Sequence, residues 1–178
     1  EGGITVRLAA PGETLTLLNG KEQALDADML VIADASKAVA LAGIMGGANS
    51  EVDDTTQDIF LESAFFAPEA IAGRARRLGF SSDASFRYER GVDFTLQAEA
   101  MERASALIVQ ICGGQLGPVS EAVGQLPARA PVSVRVARVN QVLGLSLAAD
   151  DMAAMFARLG FVAAYQDGRF AVTPPSFR

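Results

Sequence analysis

Hydrophobic positions change period several times along this chain, and the changes outline its elements. Ile4–Ala9 and Glu13–Leu18 alternate apolar and polar residues, as half-buried strands do, with Pro11-Gly12 between them. Asn19-Gly20 then gives a strong hairpin signal, because both residues tolerate the positive φ of a tight reversal. Met29–Ala33 and Ala38–Ile44 are apolar runs parted by Asp34–Lys37, which predicts a second hairpin. A further run, Ile59–Phe66, predicts a mostly buried strand closing a mainly antiparallel first third.

Helical spacing begins at Pro68. Proline suits the first turn of a helix and Glu69 suits its positive end, while Ile71, Ala75 and Leu78 share one face up to Gly79. Phe80–Asp93 is too polar for a plain core element. A longer helix is predicted from about Phe94 to Cys112, with Met101, Ala104, Leu107, Ile108 and Ile111 as its buried stripe. Gly113-Gly114 ends it, and Gln115–Val123 is a candidate returning strand. Composition shifts at Gly124–Pro131, which places a linker over 125–131 between a domain at 1–124 and a second at 132–178. That second part reads as a strand (Val132–Val136), two helices (Val139–Leu143, Asp150–Leu159) and a hairpin about Asp167-Gly168, the outline of a winged helix. The fold class is α+β.

Composition narrows the picture only a little. The chain has 178 residues, 50% apolar and 20% charged, enough for one core with a smaller piece attached. Glu1 stands first instead of Met and no terminating signal follows Arg178, as expected of a piece of a longer polypeptide. The lone Cys112 reads as a small buried hydrophobe, and with no second cysteine no internal disulfide forms, which suits a reducing, cytoplasmic setting. The longest apolar and glycine run, Ala38–Ala48, is too short to span a membrane. A net charge of −6 argues against general nucleic-acid or DNA binding, yet Arg74, Arg76, Arg77, Arg87 and Arg90 gather between Gly73 and Gly91. They form either a local basic face for one end of a nucleic acid or a set of ion pairs with the acidic run Glu51–Asp58.

The chemistry on offer is sparse. Histidine is absent, which removes the commonest general base and transition-metal ligand, and a zinc site has no ligand set. Gly43-Ile44-Met45-Gly46-Gly47 lacks the lysine of a phosphate-binding loop and the spacing of a dinucleotide fingerprint. Its glycines allow either a tight turn or the close approach of a ligand. Ser63, Ser81, Ser82 and Ser85 have no base beside them, so no nucleophile is assigned. Asp53, Asp54 and Asp58 are more simply a solvated loop than a cation site. Glu62 is the odd residue, a carboxylate within an apolar run, which pairs with an arginine or serves a purpose of its own.

GIMGG, SEV, LESAFF, ARRLG, SDAS and RYERGVD follow one another in a fixed order, and together they resemble the editing domain of the bacterial phenylalanyl-tRNA synthetase beta-subunit family. The resemblance runs from Gly2 to about Val123, and VNQVLG, MFARLGF and PPSFR resemble the start of the small domain that follows. It implies a layered beta/beta/alpha editing domain and a subunit that binds phenylalanine tRNA in an alpha2 beta2 heterotetramer. It implies no cofactor for this stretch, with ATP and magnesium serving the whole synthetase. Glu62 matches the family's glutamate that meets the hydroxyl of a mischarged tyrosine. Gly46 matches a pocket glycine, and Ser82 and Ala84 match a wall often built from threonine and alanine, so Ser82 keeps the hydroxyl and lacks a methyl. A non-catalytic tRNA-binding or subunit-scaffold module, working through Arg74, Arg77, Arg87 and Arg90, is the alternative.

Overall fold

The structure, a computed structural model, describes residues 3–178 and divides into two compact units that meet in sequence at Leu116 and Gly117. The first unit opens with β1 (Thr5–Leu8), β2 (Thr14–Thr16), β3 (Glu22–Ala24), β4 (Leu30–Ala33), β5 (Ala38–Leu41) and β6 (Met45–Gly46). Antiparallel pairing gives one sheet in the order β1-β4-β5-β6 and a separate β2-β3 ribbon. A bridge from Leu17 to Gly47 links the ribbon to the end of β6. β1 therefore pairs with β4, Thr5 opposite Ala33, and the Pro11-Gly12 turn carries the chain out of the sheet and into the ribbon.

Both predicted hairpins form. Asn19-Gly20 joins β2 to β3, with Gly20 at φ +78° and the Asn19 side chain accepting from the Lys21 N–H at 3.0 Å. Asp34–Lys37 joins β4 to β5, and its Asp34 carboxylate accepts from the Ser36 and Lys37 amides. β4 is an inner strand, between β1 and β5, and Val31 and Ala33 are fully buried on one face and Ile32 nearly so on the other. Leu15, Leu17, Met29, Leu41 and Ile44 complete the core on which Phe66, Ile71 and Ala75 pack.

Several expected elements are absent or differ. Ile59–Phe66 is not a strand: it pairs with no neighbour strand, and the side chains of Tyr88 and Gln97 donate to its Ala64 carbonyl. The helix expected from Pro68 to Leu78 is two single turns, α1 (Pro68–Ile71) and α2 (Arg74–Arg77), because Gly73 adopts φ +76° between them. Within the polar stretch Phe80–Asp93 lies α3 (Asp83–Tyr88), capped reciprocally by Ser82 and Ser85. α4 (Gln97–Cys112) forms, but none of its residues is buried; Ile111 is 77% exposed and Cys112 is exposed too, so the stripe is no core stripe. Gln115–Val123 forms no strand. Among the described residues, no helix is long and apolar enough to cross a membrane.

The second unit contains β7 (Val132–Arg135), α5 (Val136–Leu143), α6 (Ala149–Arg158), β8 (Val162–Gln166) and β9 (Arg169–Thr173), with antiparallel order β7-β9-β8. Asp167 and Gly168, at φ 48° and 76°, make the two-residue turn of its hairpin. Phe170 and Met152 centre a small core, and Phe170 meets Phe156 and Tyr165 edge-on or tilted at 5.3 and 4.9 Å. Asn140 clasps the loop after α5, its amide exchanging bonds of 3.0 and 2.9 Å with the Leu147 backbone.

Arg7 and Glu13 fasten the Pro11-Gly12 turn. The guanidinium donates two bonds to the carboxylate, at 2.7 and 2.8 Å, and the Ala10 N–H adds a third. These contacts, Arg7 first, lower the Glu13 carboxyl from an ordinary 4.5 to about 2. The Glu13 side chain is only 15% exposed, but the turn around it is open, so water screens much of the gain and about 1 kcal/mol is expected to survive. A depressed folded pKa stabilises above the unfolded value and stops doing so as pH falls through the folded one. Glu13→Gln should therefore lower the urea midpoint by the equivalent of about 1 kcal/mol at pH 7, with the difference from the parent shrinking between pH 4.5 and about 2.

Candidate functional site

The site is built around Gly43. At φ +65° it turns the chain from β5 into β6, and a methyl group there would lie 3.1 Å from Phe66 Cδ2, 3.2 Å from Ile71 Cδ1 and 3.2 Å from Tyr88 Cγ. Three separate segments thus close on one position that has no side chain. Gly46 and Gly47 serve the strand layer in the same way: a Cβ at Gly46 would sit 3.1 Å from Leu18 Cδ1, and one at Gly47 2.7 Å from the Val39 carbonyl oxygen. The glycine turn is a close-packing device within the chain.

α3 fastens that turn to the segment of Glu62. At its start the Ser82 hydroxyl donates to the Ile44 carbonyl while accepting from the Ser85 N–H at 3.0 Å. Ser85, 97% buried, donates its own hydroxyl to the Ser82 carbonyl. Ala84 is half-buried in the first turn. At the other end the Tyr88 ring stacks at a tilt on Phe66, centroids 5.3 Å apart, and its hydroxyl donates to the Ala64 carbonyl at 3.1 Å. The Gln97 side chain also donates to that carbonyl, at 3.3 Å, and the Ser63 hydroxyl donates to the Gln97 carbonyl at 2.9 Å.

Glu62 precedes these anchors directly. It is exposed, not buried as the apolar run suggested, because the segment lies across the surface instead of entering a sheet. No hydrogen bond or ion pair reaches its carboxylate among the described residues. Desolvation by the surrounding protein nonetheless holds its carboxyl above the ordinary carboxylate value. Exposure and crowding describe different shells: water touches the side chain, while protein atoms farther out displace enough solvent to disfavour the charge. The exposure leaves the carboxylate within reach of a ligand. Tyr88 feels the same neighbourhood, its phenol raised first by burial and then by the Glu62 charge.

The arginines separate into committed and uncommitted. Arg74 and Arg77 converge on Asp28, at 3.2 and 2.7 Å, and Arg77 also reaches Asp26 at 3.4 Å, so their partners lie before β4 and not in the acidic run. Arg90 pairs with Glu89 and lies 3.7 Å above the Phe86 ring. Arg87 is exposed, with no bond of this kind among the described residues. A cavity of about 370 Å³ lies beside α2 and α3, lined by Arg76, Phe80, Ser81 and Phe86 among others, and Glu62 takes no part in it. In the acidic run, Asp53 accepts from Thr55 and Thr56, and no group of three or more potential ligands that could hold a metal occurs among the described residues.

Tyr88 and Gln97 are not singled out by sequence reasoning, which weighs Ser63 only as a nucleophile. The only hint was an aromatic residue inside a polar stretch, since a phenol on a half-buried ring needs an acceptor.

The family model for the B3/4 domain matches residues 1–113, and that for the tRNA synthetase B5 domain matches residues 132–178. Among curated relatives, a phenylalanine–tRNA ligase beta subunit of Thiobacillus denitrificans is 58% identical over 99% of this chain and 23% of its own length. Proteins of the same name from Chromobacterium violaceum and Dechloromonas aromatica are 55% and 57% identical over 100% of this chain, and 23% and 22% of their own. The chain thus spans less than a quarter of the length of these relatives.

The Gly43 geometry leads to a direct expectation. Gly43→Ala combines a left-handed backbone that costs an L-residue roughly 1–2 kcal/mol with overpacking, and should destabilise the first unit by about 2–4 kcal/mol. Chemical denaturation followed by a signal from that unit checks this.

Proposed function

The chain belongs to the B3/4 domain family, and from that premise we propose that its first domain is an editing hydrolase that removes tyrosine wrongly esterified to phenylalanine tRNA. The observation that carries the reading is the Glu62 carboxylate, open to solvent on one side, crowded by protein on the other, and met by no donor within the described residues. Such a group gains by accepting a hydrogen bond from an incoming hydroxyl. A charging site shaped for phenylalanine rejects tyrosine weakly, because a pocket rarely excludes an added hydroxyl strongly, and a second site must repair the error. Tyrosine gives Glu62 its donor. Phenylalanine brings none, so seating its ring would take water from the carboxylate and return no hydrogen bond.

The chemistry asks little of the protein. Water adds to the ester carbonyl and the bond to the ribose oxygen of the terminal adenosine breaks; one proton of the water goes to that oxygen, the other to solvent, and tyrosine departs as a carboxylate. An activated ester needs a held water and donors to the developing oxyanion more than a nucleophile, and the hydroxyls of Ser63, Ser82 and Ser85 donate to backbone carbonyls and not to a base. Glu62 acts in recognition, and Gly46, packed against Leu18, and Ser82, bonded to the Ile44 carbonyl, serve the wall around the ring through the packing they hold, with Ala84 beside Ser82. We place this domain at residues 1–124, the linker at 125–131 and the start of the following small domain at 132–178, a reading supported by family-model matches over 1–113 and 132–178. In the whole polypeptide we place the chain in the beta subunit of a cytoplasmic phenylalanine–tRNA ligase, an alpha2 beta2 enzyme using ATP and magnesium at a separate ligation site. Its tRNA contacts fall to Arg74, Arg77, Arg87 and Arg90, of which Arg87 is the least engaged.

In the complete enzyme, Glu62→Gln and Glu62→Ala should slow clearance of Tyr-tRNA by on the order of 10- to 100-fold, the value of a hydrogen bond to a charged group, with phenylalanine charging little changed. Deacylation of labelled Tyr-tRNA measures it, and clearance at the parental rate overturns the reading.

A further inference from the structure

Glu62 sits in a segment that no ladder holds, so something else must fix where its carboxylate stands. The Ala64 carbonyl, two residues on, receives two side-chain donors, Tyr88 Oη at 3.1 Å and Gln97 Nε2 at 3.3 Å. Both donors are themselves held. The Tyr88 ring lies against Phe66 and beside the empty Cβ position of Gly43, and Gln97 Nε2 also donates to the Asp93 carbonyl at 3.0 Å. Ser63 closes the loop by donating to the Gln97 carbonyl at 2.9 Å. The Tyr88 hydroxyl is spent on Ala64, so the nearby phenol does not fill the Glu62 acceptor that an incoming ligand requires.

We infer that Tyr88 and Gln97 are positioning residues for Glu62: by pinning the Ala64 carbonyl they set the geometry in which a phenolic hydroxyl meets the carboxylate. The inference rests on the editing role proposed above and names the residues that make its selectivity possible. Neither touches the ligand. Their effect is through the backbone, where a displacement near 1 Å in a recognition group can cost on the order of 100-fold.

The test uses the complete enzyme. Tyr88→Phe removes the hydroxyl and keeps the ring, and Gln97→Ala removes the second donor without touching the packed aromatic cluster. For each, KM for Tyr-tRNA hydrolysis should rise about 5- to 10-fold, the worth of one hydrogen bond, while kcat moves far less and the melting temperature stays within a few degrees. Added to Glu62→Gln, either change should cost nothing further, because groups acting through one interaction are not additive. A parental KM in both folded variants, with Glu62→Gln still impaired, overturns this inference alone, as does a loss that adds in full to that of Glu62→Gln. Parental selectivity in Glu62→Gln itself overturns the editing role and this inference with it. If Tyr88→Phe fails to fold, Gln97→Ala decides between the same outcomes.

Discussion

A missing methyl group at Gly43 is the constraint on which the first unit turns. Only a residue without Cβ holds φ +65° there at little cost while Phe66, Ile71 and Tyr88 crowd to within contact of the vacant position. Those three side chains belong to the Glu62 segment, α1 and α3, so one backbone position sets how three pieces of chain meet the sheet. Ser82 adds a polar tie to the same turn through the Ile44 carbonyl. Neither contact is large, but both occur where short elements have few other fastenings: α1 and α2 are single turns, and Ile59–Phe66 has no strand partner.

From this arrangement the character of Glu62 follows. A carboxylate inside a sheet would need a cation; one on an irregular segment, pinned by neighbouring carbonyls, stays unpaired and accessible. The arginines that might have neutralised it go elsewhere, Arg74 and Arg77 to Asp28 and Arg90 to Glu89. The result is an unpaired acceptor facing solvent, which suits recognition better than proton transfer. α3 connects everything: its first residues bind the glycine turn and its last ring binds the Glu62 segment.

Sequence periodicity revealed the strands, both hairpins, α4 and the order of the second unit, because these elements carry their own signals of alternation, helical spacing or turn residues. It failed where the fold depends on distant partners. Ile59–Phe66 has the composition of a buried strand, yet no sheet edge receives it, and its Ala64 carbonyl accepts instead from Tyr88 and Gln97, 24 and 33 residues further along the chain. The stripe on α4 has the right spacing, but spacing cannot say what covers a helix, and among the described residues Met101 to Ile111 are not buried. Gly73 was read as part of a helix because one glycine costs only about 1 kcal/mol there, and its positive φ is visible only in the fold. For the site, the oddity of Glu62 was legible as a charge among apolar neighbours, while its exposure and its anchors Tyr88 and Gln97 were not.

The account rests on an acceptor that waits for a phenol. Crystals of the full-length protein soaked separately with tyrosine and phenylalanine test it most directly. The account predicts that tyrosine orders with its phenolic oxygen within hydrogen-bond distance of the Glu62 carboxylate and that phenylalanine does not order there at matched concentration. Equal occupancy by both amino acids, or a Glu62 side chain found paired with an arginine of the full-length protein, would contradict it.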